Sequence, residues 1–357
     1  MRKAFDEVFV DKTKYGTKIK TEEYHENGKH LIIDQGQADI AGYTDLEDGL
    51  FTEVPVVIFG DHTRVIKYVD KPFFLGADGT KVLRSKMDDA NYKYLYYALK
   101  YAKIPNTGYN RHFKWLKEIK IQYPEISKQS EIVDILDRVS GIILARKAEL
   151  QKLDELIKAR FVEMFGSLKD EQLLGDMSEF VTVGIANSAT HAYSESGIPM
   201  LRNQNIKENH LDDSDLIYIK PEFAAKYESK KLRENDIIAM RTGYPGVACL
   251  VPKKYEGCQT FTTLIIRLKP GNNPNYVCSY INSDLGKQFI DSEKVGVAQQ
   301  NVGAKSLAKM PIKIAPKELQ DEYATFVKQV DKSKVVVQEA LDKAQLLFDS
   351  LMQEYFG

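Results

Sequence analysis

Apolar residues return every seven positions along two stretches of the chain. In the first, from about Ser127 to Phe165, Leu136, Ile143, Leu150, Ile157 and Met164 share one heptad position, and Val139 and Leu153 follow three residues after two of them. This is the a and d seam of a helix that packs along another helix. The stretch holds no proline, and Gly166 stands where such a helix would stop. In the second, from about Lys317 to Phe356, Val327, Leu341, Phe348 and Tyr355 take the a positions, with Val330, Val337, Ala344 and Leu351 at d. Arg146, Arg160 and Lys334 interrupt the two seams. The spacing predicts two long helices, each on the order of 50 Å at ~1.5 Å per residue. Seams that stop after about five heptads suit an intramolecular pair better than a fibrous coiled coil. The side chains expected to hold that pair together are Leu136, Val139, Ile143, Leu150, Leu153, Ile157, Val327, Val330, Leu341, Phe348 and Leu351.

The remaining sequence has a different rhythm. Short β-like runs occur at Val54–Phe59, Arg64–Val69, Asp236–Met240 and Thr262–Ile266, punctuated by glycines at 60, 76, 79, 243 and 246. The layout is globule, helix, globule, helix: a mixed domain over 1–115, a helix over 116–166, a second mixed domain over 167–308 and a second helix over 309–357. The fold class is α+β.

The two halves also repeat each other. Glu163-Met164-Phe165-Gly166 closes the first helix and Glu354-Tyr355-Phe356-Gly357 the second, 191 positions later. At the same offset Asn110 matches Asn301, Leu116 matches Leu307, Gln129 matches Gln320 and Leu150 matches Leu341. Each helix is preceded by a lead ending in proline, Ile119–Pro124 and Ile312–Pro316. The chain is read as a tandem duplication. Two similar globules on an antiparallel helix pair would carry an approximate two-fold axis and act as a ruler for a pseudo-symmetric ligand such as duplex DNA. A duplicated scaffold whose helices merely pack fits the pattern equally well.

Composition narrows the class without naming a chemistry. The chain has 357 residues with 43% hydrophobic and 28% charged side chains, the profile of ordered protein with two or more domains. No run of 18 apolar residues is present, and the N-terminus shows no leader pattern, so neither a membrane nor an export route is expected. Three cysteines, Cys249, Cys258 and Cys278, without a CxxC pair, point to a reducing cytoplasm and away from a zinc ribbon. Net charge is −1, and residues 1–104 and 167–308 each hold 16 basic against 17 acidic side chains. Any contact with nucleic acid phosphate must therefore rest on local patches or on partners.

Catalytic signatures are incomplete. Gly76–Lys81 has two residues between its glycines where a P-loop needs four. Asn273-Pro274-Asn275-Tyr276 approaches the loop with which amino-methyltransferases hold a flipped base, but lacks its second proline, and no glycine-rich cofactor loop accompanies it. Asp291–Lys294 is half of a nuclease-like motif, and Asp61-His62-Thr63-Arg64 reads as either a reactive cluster or a structured turn. The six histidines have no metal-ligand spacing. The chain reads as a binder, not an enzyme.

Polar loops carry the side chains that read bases and phosphates. Arg202-Asn203-Gln204-Asn205 offers a bidentate cation and three amides, and Arg241 and Tyr244 pair a cation with an aromatic around Gly243. Gln299-Gln300-Asn301 precedes the second helix as Tyr109-Asn110-Arg111 precedes the first. In the first globule Lys18, Lys20, Gln35, Gln37, Arg64 and Lys81 are the corresponding candidates.

The layout and motifs together resemble the specificity (S) subunit of type I restriction–modification systems. The resemblance rests on Gly16–Lys20, Ile33–Gly36, Ile40–Tyr43, Ile58–Arg64 and Leu75–Lys81 in the first globule, and on Leu201–Ile206, Arg241–Gly246 and Gln259–Thr263 in the second. The run from Leu153 to Gly166 is similar to the central conserved region of that family. The resemblance implies two target recognition domains, each binding one half of a split site in double-stranded DNA. It also implies conserved helices that set the spacer and dock two modification (M) subunits, with restriction (R) subunits completing the nuclease. S-adenosylmethionine, ATP and Mg are then expected on partner subunits and no cofactor on this chain. The lead-in before Asp6 is shorter than that before Asp176, so the first recognition domain is expected to lack an edge element. Two rival readings remain: a self-contained adenine DNA methyltransferase around Asn273–Tyr276, and a coiled-coil scaffold that binds no nucleic acid.

Overall fold

In the computed structural model, which describes residues 1–76, 78–186, 190–294 and 300–357, the two heptad stretches are single helices, Ile126–Phe165 and Lys317–Phe356. The chain forms two compact units, Met1–Ala148 with Gln338–Gly357, and Glu149–Val337. Each unit thus takes one globule and part of both long helices. In the first unit Ser140, Ile143 and Lys147 share a groove with Gln345, Phe348 and Met352. In the second, Lys334 bonds Asp154 at 2.6 Å and Arg160 bonds Glu322 at 2.9 Å. In both, the early part of one helix meets the late part of the other, which is antiparallel pairing.

Eight of the eleven expected seam residues are buried: Leu136, Val139, Ile143, Ile157, Val327, Val330, Leu341 and Phe348. Leu150, Leu153 and Leu351 are only partly covered. A straight helix of 3.6 residues per turn drifts from a 3.5 repeat, so Phe161 and Phe165, in four-residue steps from Ile157, take over the buried face, and Met352 does so beside Leu351. The interruptions have partners: Lys334 holds Asp154, and Arg160 holds both Glu163 and Glu322.

Each globule is built on a four-stranded antiparallel sheet. In the first unit its order is Phe9–Asp11, Thr80–Ser85, Val56–Gly60, Ile66–Val69; in the second it is Ser178–Val183, Leu264–Leu268, Ile237–Ala239, Ala248–Leu250. The middle strands are apolar on both faces: Val56, Val57, Ile58 and Phe59, and equally Ile237, Ile238 and Ala239, are all buried. A second small sheet places His30–Ile33 parallel to Phe73–Leu75, and Ile198–Leu201 parallel to Gln259–Thr260.

The duplication extends to single hydrogen bonds. Tyr94 and Tyr276, both fully buried, donate their hydroxyls to Gln122 O and Lys313 O at 2.7 Å. Asn91 and Asn273 cap the helices Tyr92–Tyr101 and Pro274–Asn282 with their side chains. The backbone N–H groups of those same caps donate to Gln129 Oε1 and Gln320 Oε1. Phe356 packs on Tyr94 in one unit, as Phe165 packs on Tyr276 in the other.

One expectation fails. The first unit does not lack its edge element: Arg2–Ala4 pairs with Lys120–Gln122, just as Glu171–Leu173 pairs with Pro311–Lys313. Three residues suffice for this two-stranded pairing, because Phe5 and Val8, buried directly after it, anchor the short strand to the core.

Candidate nucleic-acid interface

In the first unit the candidate residues gather around the turn that follows the strand Val56–Gly60. Asp61 is a clasp: its O accepts from His112 N at 2.7 Å and its Oδ1 from Phe113 N at 2.8 Å, tying this turn to the loop before the first long helix. Asp61-His62-Thr63-Arg64 is therefore a structured turn. Gln35 has both ends of its amide engaged, Nε2 donating to Asp78 O at 2.7 Å and Oε1 accepting from His62 N at 3.1 Å. That places it as a pin between loops. Arg64 has φ +61° and donates to Ile104 O at 3.3 Å, and it lines an open polar cleft together with Gln37, Lys67 and Lys100. Lys18 is exposed and ion-paired with Asp78, and Lys20 is exposed. Lys81 lies 3.7 Å from Asp11 and 5.1 Å from the Phe113 ring centroid.

In the second unit the candidate residues are held by different contacts. Arg202 reaches Asp215 at 3.1 Å, yet its Nε is buried without a partner. Gln204 is exposed and also bonds Asp215. Asn203 donates to Thr242 Oγ1 at 2.8 Å, and Thr242 bridges to Asn301, so these three strands of loop are fastened together. Asn205 is only 2% exposed, and its amide is committed to Arg202 N, Asp212 O and Asp215 O; it shapes the loop and does not face outward. Arg241 sits beside this knot with its Nε buried and unpartnered, and among the described residues it makes no ion pair. A guanidinium left without a counter-charge is a site where an anion or a base edge gains most. Tyr244 and Gln300 are exposed. Gln299 lies outside the described residues.

Two basic segments escaped the sequence reading, which singled out only Tyr109–Arg111 in the first and Gln299–Asn301 in the second. Residues 90–117 hold six cations and no acid, and residues 294–317 hold five cations and no acid. The two segments occupy equivalent places, each leading into a long helix. Arg111, Lys114 and Lys117 are exposed, with Lys117 5.1 Å from the Phe113 centroid and Lys114 4.9 Å from the Trp115 centroid. Counting charge over whole domains averaged these segments away; a sliding count would have found them.

The enzyme-like motifs are spent on structure. Asn273 caps a helix, accepting from Asn275 N at 3.0 Å, and Tyr276 is a buried core residue. Lys294 pairs with Asp291 at 2.5 Å at a helix end. Burial pushes the Cys258 thiol up to about 11 and the Cys249 thiol up to about 12, which disfavours a thiolate nucleophile at either. Among the described residues, no group of three His, Cys, Asp or Glu is gathered that could hold a metal ion, and no helix is long and apolar enough to cross a membrane.

Comparison with known proteins agrees with this architecture. A curated relative, the type I restriction enzyme EcoR124I/EcoR124II specificity subunit of Escherichia coli, is 25% identical over 236 residues, covering 61% of this chain and 58% of the relative. Two solved structures share the fold over 100% of this chain. The type I restriction–modification S subunit from M. genitalium superposes with a TM-score of 0.60 at 16% identity, covering 96% of that chain. A chain from a study of complex assembly and conformational transition in the type I R-M system gives 0.56 at 14% identity, covering 97%. The family model described as "Type I restriction modification DNA specificity domain" matches twice, at residues 5–155 and 170–343. The chain thus belongs to the type I restriction–modification DNA specificity family and carries its domain in tandem.

Proposed function

We propose that this chain is the sequence-specificity subunit of a type I restriction–modification complex. Each unit reads one half of a split site in double-stranded DNA, and the long helices set the spacer between the halves. The observation that carries this reading is the repetition itself: one architecture built twice, with matching hydrogen bonds, and each copy with an acid-free basic segment leading into its helix. Backbone phosphate binding needs such local charge even on a neutral chain. The chain does not itself catalyse; methyl transfer from S-adenosylmethionine and ATP- and Mg-dependent cleavage rest with the M and R subunits. Two M subunits dock on the helices. Supporting this, exposed aliphatic residues recur at the repeat offset, Leu144 with Val335 and Leu156 with Leu347, as two copies of one partner would require.

The test is adenine methylation mapped across the genome of cells carrying the cognate M subunit, with and without this chain. A split motif present only with the chain is the expected result. No new motif, in cells where the complex assembles, would overturn the reading.

A further inference from the structure

Tyr109 is 89% exposed, yet its ring is not loose: it stacks on His62 with centroids 4.8 Å apart and planes 13° from parallel. His62 lies against one face of the phenol, and the ring is otherwise open to solvent. Both partners are held from behind. His62 N donates to Gln35 Oε1, and Gly79 lies so close that a Cβ there would stand 2.9 Å from the His62 ring. The loop bearing Tyr109 turns at Gly108 (φ +76°), is tied by Gly108 N donating to Asn106 Oδ1 at 3.2 Å, and is anchored by buried His112 on Asp61. Ordering an aromatic ring while leaving one face to water gains little for the fold, but it removes the entropy cost of binding a flat partner. The surroundings define that partner. Arg111 and Lys114 are exposed two and five residues on, while Lys18 on the adjoining loop is matched by Asp78, so the surplus charge is positive, a cationic guest is disfavoured and a polyanion with flat faces is favoured.

We propose that the open face of Tyr109 is a stacking platform for a base of the half-site read by the first unit, with His62 as its positioning residue. The inference rests on the DNA reading above. At the repeat offset the second unit has Gln300 in this place, so the platform is a property of the first half-site alone.

The test uses the assembled complex and duplexes carrying its mapped site, with 2-aminopurine placed at each position of either half in turn. Base–aromatic stacking is worth ~1–3 kcal/mol, so Tyr109→Ala should weaken binding roughly 5- to 150-fold, and Tyr109→Phe should recover most of the loss. In the wild type one position of the first half-site should change fluorescence on binding, and Tyr109→Ala at saturating protein should abolish that change. His62→Ala should weaken the same signal and His62→Phe restore it, which a merely structural role would not do. Because the Tyr109 ring is exposed, an unchanged thermal midpoint checks folding. Wild-type binding with Tyr109→Ala within twofold, or no position responding to its loss, refutes the platform and leaves the DNA reading standing. A wild-type complex that binds no duplex overturns both.

Discussion

Gln320 offers the sharpest test of the duplicated core. Its side chain is 4% exposed; Nε2 donates to Ala315 O at 2.8 Å, and Oε1 accepts from Asn273 N at 2.9 Å. The amide thus joins the start of the second long helix to the cap of the helix Pro274–Asn282. Gln320→Ala leaves one carbonyl and one N–H without partners in places that water reaches poorly, at ~1–3 kcal/mol each. Allowing for partial relaxation, the loss is about 2–4 kcal/mol, or roughly 30- to 700-fold in the local opening equilibrium. Hydrogen exchange on the full chain reads this segment by segment: protection should fall within 149–337 and stay unchanged in the other unit. Gln129→Ala is the matching experiment, since Gln129 is 1% exposed and makes the equivalent bonds at 2.9 Å and 3.3 Å. Its longer acceptor bond predicts a loss at the lower end of that range, confined to the first unit. The two losses should add in the double variant, because the sites share no partner. A loss below ~0.5 kcal/mol, or one spread over both units, would refute the reasoning.

Two further outcomes follow from the interface and a third from an ion trio in the second unit. Arg241→Ala should cost ~1–3 kcal/mol of binding to the cognate duplex and relax recognition in the second half-site only, read by remapping the methylated motif. Replacing Arg111, Lys114 and Lys117 by Gln should weaken binding to all sequences alike and lower the slope of log affinity against log salt by about one per residue that meets a phosphate. Burial pushes the Glu208 carboxyl up, but Lys158 at 2.8 Å and Lys287 at 3.1 Å outweigh it and hold the group below the usual carboxylate range. A lowered folded-state value contributes stability above the unfolded value of about 4.3 and loses it as pH falls through the folded value. Glu208→Gln should therefore flatten the acid limb of stability in urea titrations, and parallel curves for wild type and variant would count against the ion trio.

Much of this protein could be read from the order of its residues, because the features concerned are local or periodic. Heptad spacing placed both long helices to within a residue or so of their observed ends, and β-rich runs bounded by glycine marked the central strands. The 191-residue offset exposed the duplication, since repeated sequence needs only comparison with itself. The loop candidates were less legible. Asn205 and Asn203 belong to the same polar tetrapeptide, and nothing in the letters tells that the first is buried in its own loop while the second fastens Thr242. Gln35 likewise reads as a free amide until its partners, 27 and 43 positions away, are seen.

What the sequence determined alone is the repeating frame: two mixed domains, two helices and the family to which their motifs point, all carried by patterns within a few turns or strands. What only the tertiary structure decided is which polar side chains remain available. Hydrogen bonding is satisfied by whatever group folding brings within about 3 Å, and that depends on contacts between residues tens of positions apart. Folding committed Gln35, Asn205 and Asn273 to the scaffold, left the Nε of Arg241 without a partner, and laid Tyr109 on His62 with one face open.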